Sequence, residues 1–227
     1  MKEIIPNDME ELPLELFNKA LKRVSTKPGD KYKFIVRGGN SLKNALFVLY
    51  STVWKNEYIP DSWYDSELVQ LWKGKGDKNV LDNMRHLHLK KDTQKMFNQM
   101  VTIAAEDKLI SNMSKFQLAS KPGHRATEHL FVVMSMMLIN EKNGDGMIFS
   151  LFDLTKYFNK ESAIDCHYEL YKSDIKGKLY RLLFLLNKNI RIRVRTPVGC
   201  TEEEDTGAGV GQGTVSGAIT SSVNLDN

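Results

Sequence analysis

Apolar positions along this chain recur with two different periods. In residues 8–24 they fall at Leu14, Phe17, Ala20, Leu21 and Val24, the spacing of one helix face. Thr26-Lys27-Pro28-Gly29-Asp30 breaks that stripe and marks a linker. A short strand is predicted at Tyr32–Val36, then a turn at Gly38-Gly39-Asn40. Ser41 offers an N-cap for a helix to about Asn56, with Leu42, Ala45, Leu46, Leu49 and Val53 on one face. Glu67–Trp72 reads as a strand, and a basic loop broken by glycines, Lys73–Lys78, follows it. Thr93–Ser111 and Ala126–Asn140 read as helices, and Met147–Leu154 as a buried strand ending near an aspartate. Helices are predicted again over 160–172 and 174–187, joined near Ser173. Ile190 to Arg195 then alternates strictly, Pro197-Val198-Gly199 turns the chain, and an acidic return strand can follow. The mixture is α+β, without the regular alternation of a doubly wound sheet.

Composition adds bounds. A chain of 227 residues with 41% hydrophobic and 26% charged residues is an ordinary globular chain, which excludes fibrous and disordered classes. Its longest apolar runs, such as Leu130–Leu138, fall well short of the roughly 18 residues that span a bilayer, so no membrane role is expected. The N-terminus MKEIIPNDMEELPLELF places acids and a proline where a signal peptide needs basic and apolar residues. Two cysteines, Cys166 and Cys200, make no disulfide framework, and an intracellular location is expected. The net charge of +4 is unevenly spread. Residues 73–95 hold seven Lys/Arg against three Asp, and residues 172–195 eight against one. Two basic stretches point to a polyanionic partner or to solvated faces.

Four places carry candidate chemistry. Asp153, at the end of the apolar run Ile148–Phe152, is placed to hold a divalent cation or to cap the next helix. The loop Lys73-Gly74-Lys75-Gly76-Asp77-Lys78 combines glycines that admit an anion with lysines that neutralise it, and reads equally as a solvated turn. Arg85 offers a second, forked phosphate contact. Arg191, Arg193 and Arg195 share one face of their strand, for phosphate tracking or for pairing with Glu202, Glu203, Glu204 and Asp205 across a hairpin. Gly207-Ala208-Gly209 does not continue into a dinucleotide fingerprint, because Gln212 stands where the third glycine is required. The five histidines lack metal-ligand spacing and read as structural or surface groups.

The order of several short motifs resembles the reverse transcriptase domain of retroelements, closest to the non-LTR type. Tyr58-Ile59-Pro60-Asp61-Ser62-Trp63 is similar to the family's "IPxxW" segment. Lys73-x-Lys75-Gly76-Asp77 with Asn83-Met84-Arg85-His86-Leu87 resembles "KKGD…NYRPISL". Phe116-Gln117 through Lys121-Pro122-Gly123-His124-Arg125-Ala126-Thr127-Glu128 resembles "QFGFRPGRSTEDA", Phe152–Asn159 resembles "LDFSKAFD", and Val210-Gly211-Gln212-Gly213-Thr214 resembles "GVRQGCPLSP". The resemblance covers roughly 190 residues from about Lys33 onward.

It implies an RNA-directed DNA polymerase that adds deoxynucleoside triphosphates to a DNA primer on an RNA template. The right-hand fold would have fingers at about 31–92 and 161–213 and palm at about 93–160 and 214–227, after an extension over 1–30. Asp153 would bind the two catalytic Mg²⁺ ions with the Leu154 carbonyl, and Lys73, Lys75 and Arg85 would hold the triphosphate. Phe158 would reject a ribose 2′-OH, Gln212 and Gly213 would line the nucleotide pocket, and Arg125 with Arg191, Arg193 and Arg195 would contact nucleic acid. Tyr157, Asn159, His86 and Gly211 depart from the family's pattern, and no Tyr/Phe-x-Asp-Asp pair occurs. The expectation is therefore a fingers-and-partial-palm fragment, truncated before the Asp-Asp hairpin, that does not polymerise alone. The alternatives are a catalytically degenerate nucleic-acid-binding protein and an unrelated interaction domain.

Overall fold

A computed structural model describes residues 9–25, 33–119, 121–153, 163–188 and 190–205, together with Gly217 and Ser222. The fold is α+β: a helical layer around one apolar core, and a five-stranded mixed sheet. The helices are α1 (Leu14–Ser25), α2 (Lys33–Arg37), α3 (Gly39–Asn56), α4 (Asp92–Asn112), α5 (Ala126–Asn143), α6 (Ala163–Lys172) and α7 (Gly177–Asn187). The strands are β1 (Asp65–Trp72), β2 (Met84–Leu89), β3 (Arg191–Thr196), β4 (Gly199–Cys200) and β5 (Glu204–Asp205).

Helix α4 is the centre of the core because apolar residues fall on more than one of its faces. Met96, Phe97, Met100, Val101 and Ala105 are fully buried. Phe17, Ala20 and Val24 of α1, Tyr50 and Trp54 of α3, and Leu182 and Leu183 of α7 complete that core. Phe97 meets the rings of Tyr50, Trp54 and Trp63 at 5.9, 6.3 and 5.5 Å between centroids. Two polar groups of its aromatic side chains find backbone acceptors: the Tyr50 hydroxyl donates to the Thr93 carbonyl, and the Trp54 indole N–H to that of Met9. A two-pronged pair, Arg23 to Glu106, ties α1 to α4 at the rim.

The sheet runs β2-β1-β3, with β4 and β5 on the far flank of β3. β1 and β2 form an antiparallel hairpin, whereas β1 and β3 are parallel. On that far flank, Arg195 faces Cys200 while Ile192 faces Glu204, so the register slips by one residue and the return strand carries a bulge between β4 and β5. Thr201 fills the bulge. Its N–H donates to the Val194 carbonyl, and the Val194 N–H donates to its hydroxyl.

Two predicted strands are corrected. The segment predicted as a strand at Tyr32–Val36 contributes helix α2, with Ile35 buried against the neighbouring helices. A five-residue segment is too short for a period to distinguish the two, and no described strand lies beside it. α3 starts at Gly39, ahead of Ser41, with Gly39 at a φ of 71° that suits glycine. The described part of Met147–Leu154, up to Asp153, has no regular structure, and Ile148, Leu151 and Phe152 are more than nine-tenths exposed. A strand needs a ladder partner, and no described strand pairs with this one. Helix α5 likewise has no buried residue, although Leu130, Phe131, Met137 and Leu138 are large and apolar. Among the described residues no helix is long and apolar enough to cross a membrane.

Candidate nucleotide and nucleic-acid interface

The β1–β2 hairpin presents basic side chains by register. Leu71 pairs with Arg85 and Trp72 with Met84, and the Lys73 N–H donates to the Asn83 carbonyl at 2.9 Å, which continues the ladder by one pair. Side chains alternate faces along a strand, so Lys73 and Arg85 lie diagonally across one face. The parallel pairing of Asp65 with Arg191 and Glu67 with Arg193 adds Arg191, Arg193 and Arg195 to that same face. Sequence spacing grouped the three arginines; the parallel register joins them to the lysine loop.

The charges on this face divide into two sets. Arg191 bonds to Asp61 at 3.0 Å and Asp65 at 2.6 Å, Arg193 to Glu203 at 3.1 Å, and Arg195 to Glu67. Asp61 as a hydrogen-bond acceptor holds the Arg191 pKa above its ordinary value, and Glu203 does the same for Arg193. Pairing across the hairpin is therefore present through Glu203, and β1 and the turn before it supply the other carboxylates. At the loop end the position is different. Lys75 and Arg85 are exposed, and their side chains make no hydrogen bond or ion pair among the described residues. Lys73 Nζ donates to the Asp82 carbonyl at 2.7 Å and keeps its charge uncompensated.

The loop that carries these cations is shaped by two glycines. Gly74 and Gly76 have φ of 85° and 74°, in the region that disfavours side chains. A Cβ on Gly76 would come within 2.5 Å of the Asn83 amide, which itself donates to the Asp77 carbonyl at 2.9 Å. Trp72 braces the loop from below: its indole N–H reaches the Gly76 carbonyl at 3.3 Å, and Lys78 lies 4.8 Å over its ring. The result is a defined turn that bears Lys73 and Lys75, at the end of the sheet face that carries Arg85. That arrangement can take a multiply charged anion.

The opposite face carries fewer charges and contains Ser66, Leu68, Gln70, His86 and His88. Burial, then the neighbouring Lys90 and His86 charges, push His88 down to about 4, so it is neutral at pH 7 and hydrogen bonded to Ser66 at 3.3 Å. Lys90, at the end of β2, is buried and donates to the Leu186 carbonyl in the last turn of α7 at 3.4 Å. Burial alone lowers its pKa to about 8. The His88 bond lies within the sheet, between β2 and β1, whereas Lys90 ties the sheet to the helical layer.

The other candidates lie elsewhere. Asp153 is exposed in an irregular segment, with no hydrogen bond or ion pair among the described residues. Such a carboxylate fits a cation that takes its remaining ligands from substrate and water. No cluster of three His, Cys, Asp or Glu suited to a metal occurs among the described residues. Arg125 precedes α5, where its backbone N–H donates to Glu128 at 2.9 Å and His124 bonds the other Glu128 oxygen at 2.8 Å. The His124 bond, then the Arg125 N–H, lowers the Glu128 pKa. Leu154, Phe158, Gln212 and Gly213 lie outside the described residues. No protein-family model matches this chain, and no curated protein matches it.

Proposed function

We propose that this chain is the fingers and part of the palm of a right-hand polymerase, a reverse transcriptase that copies RNA into DNA. One observation carries the reading: Lys73, Lys75 and Arg85 stand uncompensated at one end of a sheet face whose other arginines are all neutralised by carboxylates. That pattern suits a triphosphate, since three cations around a glycine turn offset most of its charge while the paired arginines stiffen the sheet beneath. The motif order along the chain supplies the reaction class. Asp153 would hold magnesium with the Leu154 carbonyl, and the ion, when bound, neutralises phosphate charge. Phe158, Gln212 and Gly213 would shape the deoxynucleotide pocket, and Arg125 would contact the template or primer.

Lys73 binds as a point charge and Arg85 as a fork, so the two together orient the triphosphate as well as attract it. The test is equilibrium binding of deoxynucleoside and ribonucleoside triphosphates, with and without Mg²⁺. Preferential, Mg²⁺-strengthened binding of the deoxy form is expected; binding no tighter than that of inorganic tripolyphosphate would refute the reading. A second reading is a nucleic-acid-binding protein that has lost catalysis. The irregular, exposed setting of Asp153 and the departures at Tyr157 and Asn159 support it. It predicts oligonucleotide binding with no triphosphate preference.

A further inference from the structure

Helices α6 and α7 carry a second surface, on which aromatic rings alternate with lysines. Tyr171 meets Tyr180 edge-on at 5.9 Å between centroids, Tyr180 meets His167 at 6.2 Å, and His167 meets Phe184 at 4.8 Å. The seam between the two helices is thus one continuous run of rings. Tyr168, Tyr171 and Phe184 remain 58%, 52% and 37% exposed. Each exposed ring has a lysine ammonium over it. Lys172 lies 5.0 Å from the Tyr168 centroid, Lys176 5.6 Å from that of Tyr171, and Lys188 5.5 Å from that of Phe184.

Rings left in water contribute little to folding, and here they are both grouped and rimmed by positive charge. The complementary ligand has flat π faces joined by negative charges at short intervals. Single-stranded nucleic acid has that chemistry. A duplex keeps its bases stacked inside and would meet only the lysines; an acidic peptide would satisfy the lysines and leave the rings bare. We propose that the α6–α7 surface binds single-stranded nucleic acid, with bases stacked on Tyr168, Tyr171 and Phe184 and a phosphate on Lys188. Exposed lysine–ring contacts are weak, so an arriving base displaces the ammonium, which stays within reach of the next phosphate. Lys172 and Lys176 already bond Glu169 at 2.9 Å and Asp174 at 3.0 Å. Lys188 has no such carboxylate among the described residues and is the principal phosphate contact. The surface lies on different elements from the hairpin, and the inference does not rest on the polymerase reading.

The test is fluorescence anisotropy of the full chain with labelled oligo-U and oligo-dT of about twelve nucleotides, and with a duplex of the same length. Tighter binding of the single strands is expected. Tyr168→Leu and Tyr171→Leu each weaken it roughly tenfold. Lys188→Ala lowers the slope of log affinity against log salt by a little under one. Both tyrosines are exposed, so unchanged thermal melts certify that the variants are folded. Equal affinity for duplex, ring variants that bind like the wild type, or displacement of oligo-U by polyglutamate at equal charge would each overturn the proposal. Triphosphate binding on the same preparation separates the two claims. Its absence beside ring-dependent oligonucleotide binding overturns the polymerase reading alone, and the converse overturns this one alone.

Discussion

Replacing Lys90 with methionine is predicted to stabilise the protein at neutral pH. Lys90 is 6% exposed, and its one hydrogen bond among those described is a long contact of 3.4 Å to the Leu186 carbonyl. Burial lowers its pKa from 10.5 to about 8. At roughly 1.4 kcal/mol per pH unit, that difference corresponds to about 3 kcal/mol of cost for burying the charge. Methionine keeps the length of the stem without the charge, but leaves the Leu186 carbonyl without its donor, a loss of about 1–2 kcal/mol. The net expectation is a gain of about 1–2 kcal/mol at pH 7. The sign follows from the two protonation states. Below pH 8 the lysine is charged whether folded or unfolded, and the cost is present in full. Between pH 8 and 10.5 the folded form has shed its proton and the unfolded form has not, so wild-type stability rises with pH. Above 10.5 the cost is gone, and the lost hydrogen bond makes the variant the less stable of the two. Urea denaturation of both proteins at pH 7, 9 and 10.5 reads this directly. A variant destabilised at pH 7, or a difference independent of pH, would refute the reasoning.

Three further outcomes follow from the same geometry. His88, held near 4 by burial, destabilises the fold as pH falls from 6.5 towards 4; with partial exposure the loss is about 1–2 kcal/mol, and His88→Gln removes that part of the acid limb in a pH series of urea melts. Phe97→Ala, in a site with no exposure and three ring neighbours, costs about 3–5 kcal/mol, whereas Phe131→Ala on α5, 72% exposed, changes the melt by less than about 0.5 kcal/mol. Gly76→Ala strains a positive φ and strikes the Asn83 amide, so it is expected to cost about 1 kcal/mol or more and to weaken triphosphate binding, measured by calorimetry.

The longer helices were legible in the sequence. α3, α4 and α5 lie within a few residues of their predicted spans, whereas α1 begins only at Leu14, inside the stripe read over 8–24. The short elements were not. Five residues around Ile35 suit a strand or a helix equally, and their burial against neighbouring helices decided for the helix. The run before Asp153 had a strand's composition but has no described partner, and pairing is not a local property. The same limit governs the site. Lys73 and Arg85 could be grouped by motif, and the alternation of Arg191, Arg193 and Arg195 was visible. That Asp61, Asp65 and Glu67 neutralise those arginines follows from a parallel pairing between β1 and β3, more than a hundred residues apart, which no local pattern encodes. The ring-and-lysine surface could have been found: Tyr168 and Lys172 are four residues apart on a predicted helix, and Phe184 and Lys188 are four apart at the end of the next.

The division of the cationic face into free and neutralised residues is tested most directly by comparing Arg85→Ala with Arg193→Ala in Mg²⁺-dependent binding of a deoxynucleoside triphosphate. Both residues are exposed on one sheet face, and only Arg193 has a carboxylate partner among the described residues. Loss of a charged hydrogen-bond donor to phosphate predicts binding about 10- to 100-fold weaker for Arg85→Ala and close to wild type for Arg193→Ala. Wild-type binding by Arg85→Ala, or equal losses in both variants, would contradict the account.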